Sequence, residues 1–414
     1  MKLPELLAPA GNLEKLKMAI HCGADAVYLS GKHYGLRTYA GNFTLSEMEE
    51  AMTLARKEQV KVYVTLNIIA RNSDMNDLPD YLSSLSDLAV DGLIVSDPGI
   101  IAHARQIVPH IPIHVSTQLS TSNWSSASFW EQQGISRVNL ARELSLEEIA
   151  FIKQKVSLEL EIFIHGSLCI SHSGRCLLST YLANRDSNRG ACAHPCRWKY
   201  ALMEENRPGV YFPITEDERG SYIFNAKDLC LIAYLPEIIA TGVDALKIEG
   251  RMKGINYVAG VTRIYRHALE CYRKNPKGYH FQQQWLEELK KLSHRDYTTG
   301  FALAPPSGES YNYVTSEYIR THTLVGVVRE ILPFREESSA PDAGKQVKIQ
   351  VRNKIVSGDE IEFITKELQS YHMTLGEFTN AKGEILRVAQ PGQEILLRTD
   401  LPLRTNDLIR KKSL

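Results

Sequence analysis

The sequence predicts a (β/α)8 TIM-like barrel with a cysteine-bearing insertion after strand 7, plus a small C-terminal antiparallel β-barrel domain. Three observations predict it. A short apolar strand, a turn and an amphipathic helix recur eight times from the N-terminus. Eight parallel units are what a closed barrel requires. After Phe301 the pattern changes to short β-branched runs broken by Gly, Asp and Asn. An open doubly wound sheet is the main alternative, but it would carry a glycine-rich turn after its first strand, and Pro9-Ala10-Gly11 is too weak for that.

The eight expected strands are 3–8, 26–29, 61–66, 92–95, 113–116, 137–140, 159–164 and 245–248. Between them, Thr44-Leu-Ser-Glu47 and Ser145-Leu-Glu-Glu148 have the capping pattern that starts a helix. The barrel is assigned residues 1–301, a linker 302–320 and the β domain 321–414. The runs HTLVGVV, KQVKIQVRN, DEIEFIT, EILRVA and EILLRTD suggest about six antiparallel strands there. Arg404, Arg410, Lys411 and Lys412 near the end are compatible with phosphate contact, although a solvated basic tail is the plainer reading.

One unit is abnormal. The seventh and eighth strands are separated by 80 residues, 165–244. Loops leaving strand C-termini build the active face of a barrel, so this insertion emerges beside any catalytic site. It also holds Cys169, Cys176, Cys192, Cys196 and Cys230, five of the seven cysteines.

Composition narrows the classes further. In 414 residues, 48 basic side chains balance 48 acidic ones, which excludes a polycation, an acidic tail protein and a long disordered chain. Any nucleic-acid contact must come from a local patch. No apolar run reaches the roughly 20 residues that cross a bilayer, and MKLPELLAPAG lacks a signal-peptide core, so a cytoplasmic chain is expected.

Four thiolates can hold an iron–sulfur cluster or a tetrahedral zinc. Paired close knuckles are usual for structural zinc, and only Cys192 and Cys196 form one, so the spacing favours iron–sulfur. Buried unligated thiols are the bland alternative, but HSGRC and NRGACAHPC are polar, glycine-rich surroundings. Cys230, in KDLCLIAYL, reads as a core thiol near the start of a helix capped by Asp228. Arg175, Arg185, Arg189, Arg197 and Lys199 surround the cysteines against one acid, Asp186. They serve either to neutralise a cluster or to face RNA, in which case Arg197, Trp198 and Lys199 would bind RNA, with Trp198 and Tyr200 able to stack on bases.

Polar residues at strand ends are the other candidates: Asn67, Gln118, Arg142, His165, Glu249 and Arg251, with Arg37 after the second strand. Arginine suits a dicarboxylate because its planar fork binds carboxylate in two places. Arg37, Arg142 and Arg251 are therefore carboxylate or phosphate anchors, or else structural salt bridges across the mouth. Asn67 and Gln118 join them as substrate-binding candidates, with His165 and Glu249 as the catalytic ones and His165 as a proton donor. Neither a His-Glu-x-x-His zinc helix nor a Gly-x-Ser-x-Gly elbow occurs, although His165, Ser167 and Glu249 could reach one face as a hydrolytic set.

EIFIHGSLCISHSGRCLLS closely resembles the signature of the family catalogued as peptidase U32. The opening LLAPAGNLEKLKMAIHCGADAVYLSG, Ser116-Thr117-Gln118 and the Lys247 to Arg251 run KIEGR are similar too. The resemblance spans essentially the whole chain and lies closest to the tRNA hydroxylation branch. It implies oxygen-independent hydroxylation of wobble uridine to 5-hydroxyuridine, with prephenate as co-substrate and hydroxyl source. It also implies a 4Fe–4S cluster on Cys169, Cys176, Cys192 and Cys196, with Cys230 as a substitute fourth ligand. The implied partners are tRNA and a second U32-family subunit. A U32-type, collagenase-like peptidase and a non-catalytic RNA-binding module with a structural metal are the alternatives.

Overall fold

The computed structural model describes residues 3–37, 41–169, 171–197, 215–217, 220–222, 227–304, 318–333 and 345–413. They form two compact units: Met1–Gln283 with His294–Ile319, and Gln284–Ser293 with Arg320–Leu414.

In the first unit, β1 (Glu5–Pro9), β2 (Ala26–Leu29), β3 (Lys61–Leu66), β4 (Gly92–Val95), β5 (Ile113–Val115), β6 (Arg137–Asn139) and β7 (Glu159–Ser167) pair in parallel, each with the next. Then come the short antiparallel pair β8 (Thr215–Asp217) and β9 (Gly220–Tyr222), β10 (Asp228–Cys230) and β11 (Ala245–Ile248). β11 pairs in parallel with both β7 and β1, which closes the eight-stranded barrel. The strands lie where the apolar runs place them, with one informative difference: β7 continues three residues beyond Ile164.

The outer helices are α1 (Leu13–His21), α2 (Leu45–Lys57), α3 (Leu78–Asp87), α4 (Pro98–Ile107), α5 (Trp124–Gln132) and α6 (Leu146–Lys153). Complete capping boxes start α2, at Thr44 and Glu47, and α6, at Ser145 and Glu148. Each such cap contributes about 1 kcal/mol. Met48, Ala51, Met52 and Ala55 put the apolar stripe of α2 into the core at helical spacing.

The long seventh connection contains α7 (Leu178–Ala183) and then α8 (Leu235–Ala240), which leads into β11 just before α9 (Ile255–Lys274). α8 is therefore the barrel's own helix, and the true excursion is shorter than 165–244. Cys230 is not at a capped helix start. It stands on β10, antiparallel to the β7 extension, with Cys230 opposite His165 and Asp228 opposite Ser167. The exposed ladder of the lengthened β7 captures this segment as a strand. Asp228 is buried against Arg295, 2.7 Å away, rather than capping a helix. β12 (Tyr297–Thr298) pairs in parallel with β10.

The second unit begins within α10 (Gln283–Lys290). It continues with β13 (His322–Pro333), β14 (Lys345–Val351), β15 (Ile355–Val356), β16 (Glu360–Ile364) and β17 (Ser370–Thr374). β18 (Phe378–Thr379), β19 (Ile385–Leu386), β20 (Val388–Ala389), β21 (Glu394–Thr399) and β22 (Leu408–Lys412) complete it. Eight of these strands make one antiparallel half-barrel sheet, and β15 pairs with β20 apart from it. Of the basic residues near the end, Arg404 and Lys412 are exposed as a solvated tail would be, whereas Arg410 is not. Arg410 is buried, 2.8 Å from Glu288 and 2.7 Å from Glu362, while Lys411 meets Asp359 and Arg404 meets Glu367. The Arg410 pairing with Glu288 explains why residues 284–293 belong to this unit. Among the described residues, no helix is long and apolar enough to cross a membrane.

Candidate active site in the barrel mouth

Alternation along the barrel strands sends every second side chain inward. Leu7, Ala26, Tyr28, Tyr63 and Ile94 form an interior apolar cluster. Below the mouth, Arg137 pairs with Glu5 at 2.7 Å, Glu159 at 2.6 Å and Glu161 at 3.4 Å, and Lys247 pairs with Glu161 at 2.8 Å. Every carboxylate of this buried group has a cation.

Above it lies a cavity lined by Arg37, Asn67, Gln118, Arg142, Glu249 and Arg251 together with Tyr28, Thr65, Ser116, Asn139 and Phe163. All five residues expected to bind substrate are thus brought together, with Glu249 among them. Strand ends converge at the mouth of a barrel although they are far apart in sequence. Gly166 sharpens the convergence. Its φ of +111° is left-handed, and a Cβ there would come within 2.4 Å of the Glu249 carbonyl oxygen.

The Glu249 carboxylate accepts from Arg37 Nη2 at 3.2 Å and from the Tyr28 hydroxyl at 3.3 Å. Burial alone would raise its pKa, but Arg37, Arg142 and Arg251 outweigh burial and hold it below the ordinary value. Arg251 Nη1 donates to Thr65 Oγ1 at 3.1 Å. Burial, with Arg37 nearby, brings the Arg251 guanidinium down to about 10. Arg142 lies over the Phe163 ring at 3.9 Å and donates to the Ser167 carbonyl. Asn67 Oδ1 accepts from the Leu36 amide, fixing the loop that carries Arg37, and Ser116 donates to Gln118 Oε1. The mouth thus holds Arg37, Arg142 and Arg251 against Glu249, while Lys247, which also lines it, is paired with Glu161.

His165 is elsewhere. It is 1% exposed, absent from the cavity lining, and surrounded by Tyr257, Tyr265 and Tyr297 with ring centroids 5.5 to 5.9 Å away. Burial lowers its pKa to about 3, so it is neutral at physiological pH and is not placed to deliver a proton in the cavity. Ser167 Oγ accepts from Arg295 at 3.3 Å, so His165, Ser167 and Glu249 do not assemble as a hydrolytic set. The β10 pairing that cages His165 is a tertiary event that strand-end position did not reveal.

The excursion is pinned to the mouth from two sides. Glu143, next to Arg142, accepts from the Ser173 amide at 2.7 Å and hydroxyl at 2.9 Å. After β3, Asp74 takes both ends of the Arg189 guanidinium at 2.6 and 2.8 Å, and Arg71 meets Asp186. Arg189 is therefore structural rather than RNA-facing, and Arg185 likewise donates to the Ala191 carbonyl. Asn188 holds Cys176 through both its backbone groups. Trp198, Lys199 and Tyr200 and the side chain of Arg197 lie outside the described residues.

None of the seven cysteines is in a disulfide. Cys169 is exposed, yet desolvation by the surrounding atoms, with Cys176 and Cys192 in electrostatic range, pushes its thiol up against the pull of the Ser171 amide and Arg142. Cys169 is thus in electrostatic range of two other expected ligands and of Arg142 of the cavity. Among the described residues no three His, Cys, Asp or Glu side chains converge on one point as a single metal ion demands. The four expected ligands are soft sulfur donors, the kind that an iron–sulfur cluster takes. Burial raises the Cys230 thiol to about 11, and Tyr265 bonds it, as suits a core position.

Comparison with known proteins finds that Peptidase family U32 matches residues 11–312 and the Peptidase family U32 C-terminal domain residues 320–410. The chain is 42% identical to tRNA hydroxylation protein P1 of Bacillus subtilis over 99% of this chain and 95% of that one. It is 36% identical to tRNA hydroxylation protein P of Escherichia coli, covering 94% and 92%. Similarity to a collagenase of Porphyromonas gingivalis is lower, 29% over 88% and 91%.

Proposed function

Because the chain belongs to peptidase family U32 and opens an arginine-rich cavity with Cys169 in electrostatic range of its Arg142, we propose that it is a tRNA hydroxylase of the cytoplasm. In this reading it converts wobble uridine to 5-hydroxyuridine with prephenate as hydroxyl source. The observation that carries it is the surplus of arginine in the mouth, since a dicarboxylate supplies the two negative charges that three guanidiniums and one carboxylate lack. The names of the B. subtilis and E. coli relatives support tRNA as the substrate.

Arg142 and Arg251 bind the carboxylates, and Glu249, held ionised, orients Arg37 as a third anchor. Asn67 fixes the Arg37 loop. Tyr28 and Phe163 form apolar walls that exclude water and strengthen these charge pairs. Cys169, Cys176, Cys192 and Cys196 would hold the 4Fe–4S cluster, which supplies a redox or Lewis-acid centre when bound. An anticodon-loop base is already unpaired, so little energy is spent in presenting it. The hydrolytic alternative loses its expected set, because His165 is buried away from the cavity and Ser167 is engaged by Arg295.

Nucleoside analysis of tRNA from cells with and without the gene tests the reading. Loss of 5-hydroxyuridine derivatives, restored by the wild-type gene but not by Arg142→Ala, is expected, with about four irons per chain in anaerobically purified protein. Unchanged nucleosides, together with peptide cleavage that survives loss of the cysteines, would reject it.

A further inference from the structure

We infer that Asn139 recognises the neutral hydroxyl of a hydroxylated dicarboxylate bound in the mouth, a specificity role that rests on the reading of the cavity given above. Asn139 ends β6, two residues beyond Arg137 and so on the same inward face. It is 2% exposed and lines the cavity with Arg37, Arg142 and Arg251. Both its Oδ1 and its Nδ2 are buried without a hydrogen-bond partner, and so is the neighbouring Arg142 Nε.

Buried amides are ordinarily satisfied, and one left open destabilises the free protein. Directly beneath, Arg137, Glu161 and Lys247 are fully engaged with one another, so the barrel interior can satisfy its polar groups. Of the cavity's lining residues, Asn139 and Arg142 carry such open groups, and Asn139 alone leaves both a donor and an acceptor open. Their chemistry selects the ligand. Guanidiniums take the carboxylates, whereas a carboxamide presents both a donor and an acceptor, and its carbonyl would repel a carboxylate. A hydroxyl matches it because it also donates and accepts.

The test is calorimetric titration of the full chain, wild type and Asn139→Leu, with prephenate and with 4-deoxyprephenate, which keeps both carboxylates and lacks only the hydroxyl. Melting temperatures are measured alongside. Asn139→Leu should melt at the same or a higher temperature, because an unsatisfied amide has been replaced by an apolar group of similar size. Its prephenate Kd should rise about tenfold or more, and the preference for prephenate over 4-deoxyprephenate should shrink by the same factor. Asn139→Ala should repeat the binding loss if the leucine packs badly.

Unchanged prephenate binding in both variants overturns the proposal, as does equal loss of both ligands or a wild type without preference. Unchanged prephenate binding with a raised KM for tRNA also overturns it and gives the amide to the nucleobase. A wild type that binds no prephenate overturns the cavity reading itself, a result distinct from normal wild-type binding with unaffected variants.

Discussion

The lower and upper halves of the barrel interior are built from similar residues and behave oppositely. Below, Glu5, Glu159 and Glu161 face Arg137, Lys61 and Lys247, three charges against three, all paired. Above, Glu249 faces Arg37, Arg142 and Arg251, one against three, and Asn139 has no partner at all. Charge compensation below makes a rigid floor. Its deficit above is a cost to the free protein that an anionic ligand can reverse, which is how a binding site differs from a polar core.

Breaking the floor should have the largest effect. Glu161→Ala leaves Lys247 without its partner and Arg137 short of one, and should destabilise the protein by about 3 to 5 kcal/mol in denaturant titration. A loss below about 1 kcal/mol would show that the lower network is not closed.

Removing a mouth cation should do the reverse. Arg251→Met relieves a guanidinium whose pKa burial and Arg37 bring down to about 10. Stability should stay within about 1 kcal/mol of wild type, while prephenate affinity and tRNA hydroxylation fall about 100-fold, or about 2.7 kcal/mol. Strong unfolding with intact binding would make Arg251 part of the floor.

His165 offers a smaller, pH-dependent test. Its folded pKa of about 3 lies below the ordinary 6.5, so the unfolded chain binds the proton first as the solution is acidified. The stability it contributes is full above pH 6.5 and is lost as pH falls toward 3, amounting to about 2 kcal/mol at pH 5. His114, also held low by burial, adds to the same slope. His165→Phe should flatten part of this loss in melts at pH 7 and pH 5. An unchanged slope would mean that His165 is protonated in the folded protein.

Strand number, helix starts and the arginines at strand ends were legible in the sequence, because alternation, capping and strand-end position are local patterns. The cysteine cluster was legible as spacing alone. His165 misled because strand-end position does not reveal that Tyr257, Tyr265 and Tyr297, some 90 to 130 residues later, cage it. Arg410 misled in the same way, since Glu288 and Glu362 bury it from distant segments.

By itself, then, the sequence determined the barrel, the appended β sheet and the residue types at the mouth, since each follows from short-range periodicity and side-chain chemistry. Only the tertiary structure decided which charges are spent on one another and which remain for a ligand. Pairing depends on distances between strands that the chain order does not contain: Glu249 meets Arg37 across 212 residues, while Asn139, on a strand between them, meets nothing.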